Sequence, residues 1–472
     1  MPGIAAWEDD PQSSSATEPV ERPAPVLERP RLGLSLVGSK PPARIHPRGT
    51  RAFRYWSAAD SLCRGVQYWV RVLPEDARWH IRRPLVVDLD AGRDLNAYYD
   101  RQQLCFFHDT AGGTTIYSGE SPDVLCHELG HAVLDAIRPQ LWNAASIEVA
   151  SLHEAFGDIA SILSALELRS VRESVVDATG GRVARASRVS RLAEQLGWAI
   201  RQSHPDAVDP DCLRNAANSF FYRQPEQLPP MAPASVLSSE PHSFSRVFTA
   251  AWLVSLAGMA EQADVTADRL AAAAAAAGRL LAEAVARARI ASNYFAQVAA
   301  GLLASDAALF AGKYQAAIRR AFVGRGILSM PSAAALADAT RGRPAARRRQ
   351  PSLRTIEVPV DGRAYGLRLR RLLVDVPPGP GRWPAASAAA DLGSLVAATP
   401  REAGRAFVED LLRRGRVDVS GLKGLEASSG RGAVAMEVAA RPGRASHALV
   451  PHGRRARLVR KLFHECVDAV CL

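Results

Sequence analysis

The hydrophobic and polar positions along this chain fall into successive regimes. Residues 57–72 place apolar side chains at helical spacing and predict an amphipathic helix. The runs at 84–88 (PLVVD), 95–100 (LNAYYD) and 104–108 (LCFFH) are short and strand-like, and a turn at Ala111-Gly112-Gly113 follows them. After Asp123 the period becomes helical for most of two hundred residues, broken by loops near 179–181 and 203–241. The stretch 245–328 is rich in alanine, with Leu and Arg at helical spacing, and predicts plain helices. A further compact pattern begins past residue 353. Segments 355–360 and 363–376 flank Asp361-Gly362, a hairpin signal, and Thr399-Pro400-Arg401-Glu402 combines an N-cap, an N1 proline and a capping-box glutamate. Residues 433–438 and 446–450 predict strands, and 454–471 a final helix.

This pattern divides the chain into four parts. Residues 1–50, rich in Pro, Ser, Glu and Arg without periodicity, are expected to be disordered. Residues 51–329 form the main body, β-rich to about 140 and helical after it. Residues 330–352, with the run Arg-Gly-Arg-Pro-Ala-Ala-Arg-Arg-Arg at 341–349, are expected to be an exposed basic linker, and 353–472 an independent α+β domain.

Composition narrows the classes. With 472 residues, 47% hydrophobic and 23% charged, the chain is globular; wholesale disorder, collagen and coiled coil are excluded. No run of eighteen strongly apolar, uncharged residues occurs, so no transmembrane segment is expected; the nearest, 270–278, is mostly alanine between Arg269 and Arg279. Residues 1–15 lack the basic start and apolar run of a Sec signal, so the expectation is a cytoplasmic protein, or one exported by another route. Cys63, Cys105, Cys126, Cys212, Cys466 and Cys471 are scattered and read as reduced thiols. The net charge of +11 is uneven: from Pro331 onward 25 Lys and Arg stand against 13 Asp and Glu, and the rest is close to neutral. Such a basic module suits an acidic partner, nucleic acid or an anionic membrane surface, and is equally consistent with a solvated basic face.

One segment carries chemistry. His127-Glu128-Leu129-Gly130-His131 opens a helical run, and on a helix residues i and i+4 share a face, so both imidazoles can reach one metal with Glu128 beside it. A catalytic zinc needs a third protein ligand and an open position. Ser151-Leu152-His153-Glu154-Ala155-Phe156-Gly157-Asp158 supplies a candidate helix, with Glu154 as a possible third ligand and Asp158, one turn on, able to hold the second nitrogen of a ligating histidine. Without the HExxH segment these would read as surface acids.

These motifs resemble the thermolysin-like (gluzincin) zinc metallopeptidases. Residues 122–133 look like the family's zinc helix and His153-Glu154-Ala155-Phe156-Gly157-Asp158 like its glutamate helix. Asn96-Ala97-Tyr98-Tyr99 is similar to the edge strand whose backbone pairs with the peptide substrate. Asp211-Cys212-Leu213-Arg214 is similar to the segment with the substrate-binding arginine, and Pro241-His242-Ser243 to the start of the helix with the catalytic histidine. The resemblance covers roughly 53–328. It implies an α+β fold of two lobes, β-rich then helical, with one catalytic Zn2+ between them, plus the separate basic α+β domain. It further implies a zinc endopeptidase: His127, His131 and Glu154 hold the metal, Asp158 supports a ligand, and Glu128 is the general base. His242 and Arg214 bind the oxyanion and substrate carbonyl, Asn96 and Ala97 orient the peptide, and Val124 and Leu213 line a pocket favouring cleavage before apolar residues. Arg214 as a surface arginine, His242 as a loop histidine and Asn96 as a turn residue are the plain alternatives.

The departures also matter. The acidic positions that bind stabilising calcium are thinned to Asp123 and Glu167, so no strong calcium site, or at most one, is expected. The family's oxyanion tyrosine has no counterpart in 141–150, and no acid evidently orients His242, although Glu240 is close. These gaps motivate a second reading: a catalytically weak peptide-binding protein on a peptidase scaffold, with the basic C-terminal domain as its main interaction module.

Overall fold

The computed structural model describes all residues except 1, 12–17, 262–263, 341–353, 366, 368, 387–398, 423–444, 454 and 465–472. β1 (Gly3–Ala6) and β2 (Val20–Pro23) form an antiparallel pair, followed by β3 (Leu34–Leu36). α1 (Arg51–Val72) starts where Thr50 accepts a bond from the Phe53 amide, satisfying a donor the first turn leaves open. β4 (Leu85–Asp88), β5 (Ala97–Tyr99) and β6 (Gln103–Phe106) build a sheet, and β7 (His108–Ala111) and β8 (Thr114–Tyr117) a hairpin.

Helices follow. α2 (Pro122–Ile137) is capped by Ser121 with a proline at its first turn, and α3 (Ile147–Ala165) is capped by Ser146. α4 (Arg169–Thr179), β9 (Arg191–Leu192), α5 (Glu194–Arg201) and β10 (Arg214–Asn215) lead through a long loop to α6 (Pro241–Ala260). α7 (Ala267–Arg287), α8 (Tyr294–Phe310), α9 (Gln315–Gly324) and α10 (Met330–Thr340) complete this part. α6 is long and apolar enough to cross a membrane by length and composition alone, but most of it is buried inside the fold. One core runs through the body, from Trp69 and Phe106 through Phe156 and Ile159 to Phe244 and Phe295. Burying this much apolar surface, at roughly 25 cal/mol per Å², is the main favourable term.

The C-terminal unit contains β11 (Ile356–Val360), β12 (Leu372–Val376), α11 (Pro400–Arg413), β13 (Val417–Asp418), β14 (His447–His452) and β15 (Arg455–Arg460). Its strands lie in the order β11-β12-β15-β14-β13, over a core that includes Val374, Phe407, Leu411 and Leu458. The capping box at Thr399 and Glu402 is formed on both sides. The last described strand, β16 (Phe463–His464), leaves this unit and joins the first sheet, whose order is β16-β5-β6-β4-β3.

Several expectations are corrected. The N-terminal segment expected to be disordered is ordered at 2–11 and 18–50: Ile4, Ala6 and Leu27 pack against Tyr55, Trp56 and Ala59 of α1. A few apolar residues there bury enough surface to order a segment whose average composition is polar. The linker expected at 330–352 begins as helix α10, and 341–353 lies outside the described residues. Of the helix expected at 454–471, residues 455–460 and 463–464 are instead strand, because Ala456, Leu458 and Arg460 alternate inward with period two, and 454 and 465–471 lie outside the described residues. The strand expected at 433–438 lies outside the described residues. The C-terminal unit has its own core but does not stand apart. Trp142 Nε1 donates to the Arg460 carbonyl (3.1 Å), Arg460 Nε to the Trp142 carbonyl (3.0 Å), and the Ala145 amide to the Asp375 carbonyl (2.7 Å).

Glu148, in the first turn of α3, is buried and accepts from the Tyr222 hydroxyl (2.5 Å) and the Phe295 amide (2.7 Å). Burial pushes its pKa from 4.5 up to about 8, against those two bonds. Between those values the native protein holds a proton that the unfolded chain has released, so stability is full below about 4.5 and falls as pH rises through about 8. Glu148→Gln keeps a donor and an acceptor but no titration. In urea unfolding it should gain about 2–4 kcal/mol on the wild type at pH 9 relative to pH 5.

Candidate active site

The site begins with two helices that cross very closely. A Cβ on Gly130 of α2 would lie 2.8 Å from Gly157 Cα and 2.8 Å from Ala160 Cβ of α3, so the crossing needs glycine. A Cβ on Gly157 would lie 2.6 Å from the His127 ring. The contact is locked at one end by Ser161 Oγ, which donates to the Asp123 carbonyl at 2.7 Å. His127 and His131 therefore meet on the face that α3 covers, their ring centroids 4.7 Å apart and nearly perpendicular.

Donor atoms converge at this point. Atoms of His127, Glu128 and His131 able to ligate a metal lie within 4.8 Å of one another, all buried. Glu154 Oε2 is 3.3 Å from His127 Nε2 and 3.7 Å from His131 Nε2. Ligands about 2.0–2.1 Å from a tetrahedral zinc stand about 3.3 Å from one another, so this spacing suits one small ion. Both nitrogens of His131 are buried without a hydrogen-bond partner among the described residues, an unfavourable arrangement that a bound cation relieves. Burial lowers the His131 pKa to about 3, which keeps the ring neutral and able to ligate. Burial works against the Glu154 carboxylate, but His242 and His131 hold its pKa well below the ordinary value, so it stays ionised. The other side of His127 is fixed: Nδ1 lies 3.1 Å from Asp158 Oδ1, which also accepts from Arg214 Nη2 at 2.9 Å. Against the cost of burial, Arg214 and His127 lower the Asp158 pKa.

Around this centre the other singled-out residues divide. Glu240 is the N-cap of α6, accepting from the Ser243 amide with one oxygen while the other lies 2.7 Å from His242 Nδ1. An acid does orient His242, and it is the helix cap itself. His242 Nε2 lies 3.2 Å from Glu154 Oε2; burial opposes its charge, but Glu154 and Glu240 raise its pKa well above the ordinary value. Leu213 and Arg214 line a cavity with Ser238, Glu240 and His242, whereas Val124 is packed fully in the core and does not line that cavity. Asn96 Oδ1 accepts from the Ala97 amide and its carbonyl accepts from Ser118 Oγ. Ala97 begins β5, but β5 is not an edge as expected: Phe463 and His464 pair with Tyr99 and Tyr98. Asp123 lies among Asp9, Asp10 and Glu194, with Arg188 on Asp9 and Arg191 on Glu194, and Glu167 pairs with Arg71. The four described cysteines are free and buried.

Sequence reasoning missed the groups that the C-terminal unit brings here. Phe463 stacks on His153 (centroids 4.0 Å, 17°) and on His131 (4.8 Å, 19°), with Trp142 at its edge and the Arg460 guanidinium 4.0 Å above it. The available signal was the period-two alternation of Arg455-Ala456-Arg457-Leu458, which favours a strand over a helix.

Because the His127 ring rests where a Gly157 side chain would be, Gly157→Ala must displace it. Divalent-metal affinity, measured by competition with a chromophoric chelator, should fall about 10–100-fold with the fold retained.

No family model and no curated protein matches the sequence. Among solved structures, the chain is similar to the precursor of protealysin, a metalloproteinase from Serratia proteamaculans, with 15% identity and a TM-score of 0.42 over 69% of this chain and 88% of that one. Independently of that distant likeness, His127, Glu128 and His131 form a buried group of potential metal ligands at HExxH spacing.

Proposed function

We propose that this protein is a zinc-dependent endopeptidase. The observation that carries the reading is Glu154 Oε2 on one helix standing 3.3 Å from His127 Nε2 and 3.7 Å from His131 Nε2 on the other, close to the separation expected between ligands of one zinc. Zinc held by these residues would supply Lewis acidity toward a peptide carbonyl and toward water.

The chain's own residues would do the rest. Glu128, buried beside the two histidines, is placed to take the proton from the attacking water and return it to the leaving amine. His242, kept charged by Glu154 and Glu240, presents Nε2–H where negative charge would develop on the carbonyl oxygen. Asp158 and Arg214 hold the His127 ring in place, and Arg214 also lines the cavity next to His242, where a substrate carbonyl would lie. Leu213 in the same cavity supports a preference for an apolar residue after the cut. β5 would orient an extended peptide through its backbone, from Asn96 and Ala97 on. The second reading, a weak peptide binder on this scaffold, uses the same β5 side, which pairs with β16 in this structure.

Glu128→Gln separates the two. The variant should bind one zinc per chain like the wild type while cleavage of a mixed peptide library falls by about 10²–10⁴. Equal, chelator-insensitive cleavage by both proteins would remove the proposal.

A further inference from the structure

The segment that covers β5 has the features of a bound peptide. It is extended and antiparallel to β5, in the register Phe463 to Tyr99 and His464 to Tyr98. Its backbone carbonyl at His464 lies 2.6 Å from His242 Nε2, the same nitrogen that stands 3.2 Å from Glu154 Oε2. Its Phe463 side chain is 2% exposed and fills a slot floored by the rings of His131 and His153 and closed by Trp142. Neither nitrogen of His153 has a hydrogen-bond partner among the described residues, and its ring and that of His131 lie within 17° and 19° of parallel to Phe463, so the slot floor is a planar surface suited to an aromatic ring. Just upstream, Arg460 is tied to the Trp142 carbonyl and Asn143 Oδ1, which delivers the segment to the cleft.

We propose that the β5 side and the His131–His153–Trp142 slot form a binding site for an extended peptide with an aromatic side chain, and that its resident occupant is this chain's own 462–464 segment, which blocks the cleft in cis. This inference rests on the peptidase reading for its consequence, latency, but not for the binding itself. A peptide adding to β5 needs the amide and carbonyl groups that β16 has already taken, and a carbonyl directed at His242 would meet the one from His464. The occupant is covalently attached, so its effective concentration at the site is high and free peptides compete poorly until it is displaced.

The test uses the full zinc-loaded chain with Phe463→Asp, and Phe463→Ala as the milder variant should the aspartate disturb folding. A fluorescein-labelled synthetic peptide spanning residues 457–464 serves as the probe. Fluorescence anisotropy should show it binding either variant at least about tenfold more tightly than the wild type, and the variants should cleave a mixed peptide library at least about tenfold faster. Equal probe affinity for wild type and a folded variant, or no binding to either, overturns the proposal even if both cleave peptides. Repeating the binding arm in a Glu128→Gln background separates the two readings: tighter probe binding with no cleavage by any Glu128 protein supports the occupant and removes the peptidase.

Discussion

The site depends on one steric constraint, the close crossing of α2 and α3 at Gly130, Gly157 and Ala160. Were the helices a side chain further apart, Glu154 could not stand 3.3 Å from His127 Nε2, nor Asp158 3.1 Å from its Nδ1. Ser161 on the Asp123 carbonyl, and Phe156 stacked on Trp69 of α1 at 5.1 Å, hold that crossing in the core. Close packing means such a contact shifts as a unit, so the donor geometry is a property of the core and not of flexible side chains.

Around the crossing lies a chain of buried charges that offset one another. Glu240 faces His242, His242 faces Glu154, and Asp158 faces both His127 and Arg214. An isolated buried charge costs several kcal/mol, so each partner is needed by the next, and His131, neutral and without a hydrogen-bond partner among the described residues, is where that network leaves a polar group unsatisfied. The same economy appears in Glu240, which caps α6 and orients His242 with its two oxygens. The C-terminal unit contributes Arg460 above Phe463, whose pKa burial lowers to about 9 although Glu154 counteracts it.

The parts of this account that were legible in the sequence are those set by local spacing. The four-residue interval from His127 to His131 and from Glu154 to Asp158, the prolines at 122 and 241, and the Thr399–Glu402 box are periodic or capping features that a helix fixes by itself. What was not legible depends on long-range packing. Ile4 and Trp7 order a segment that reads as polar, Val124 turns wholly into the core, and the glutamate that orients His242 looked incidental until its cap geometry was seen. The pairing of Phe463 with Tyr99 joins residues more than three hundred positions apart, and only the alternation in 455–458 hinted that a strand was near. The first half of the helix expected at 454–471 is thus the strand that leads to the segment paired with β5.

The central claim is that two imidazoles and one carboxylate in this crossing hold zinc. X-ray absorption at the zinc edge, on the full chain loaded with one equivalent of metal, tests it most directly. The expected spectrum has a shell of nitrogen and oxygen at about 2.0–2.1 Å, with the multiple-scattering pattern of two histidines and no sulfur. The pattern should be lost in His131→Ala. A sulfur shell at about 2.3 Å, or an unchanged spectrum in that variant, would place the metal elsewhere and contradict the account.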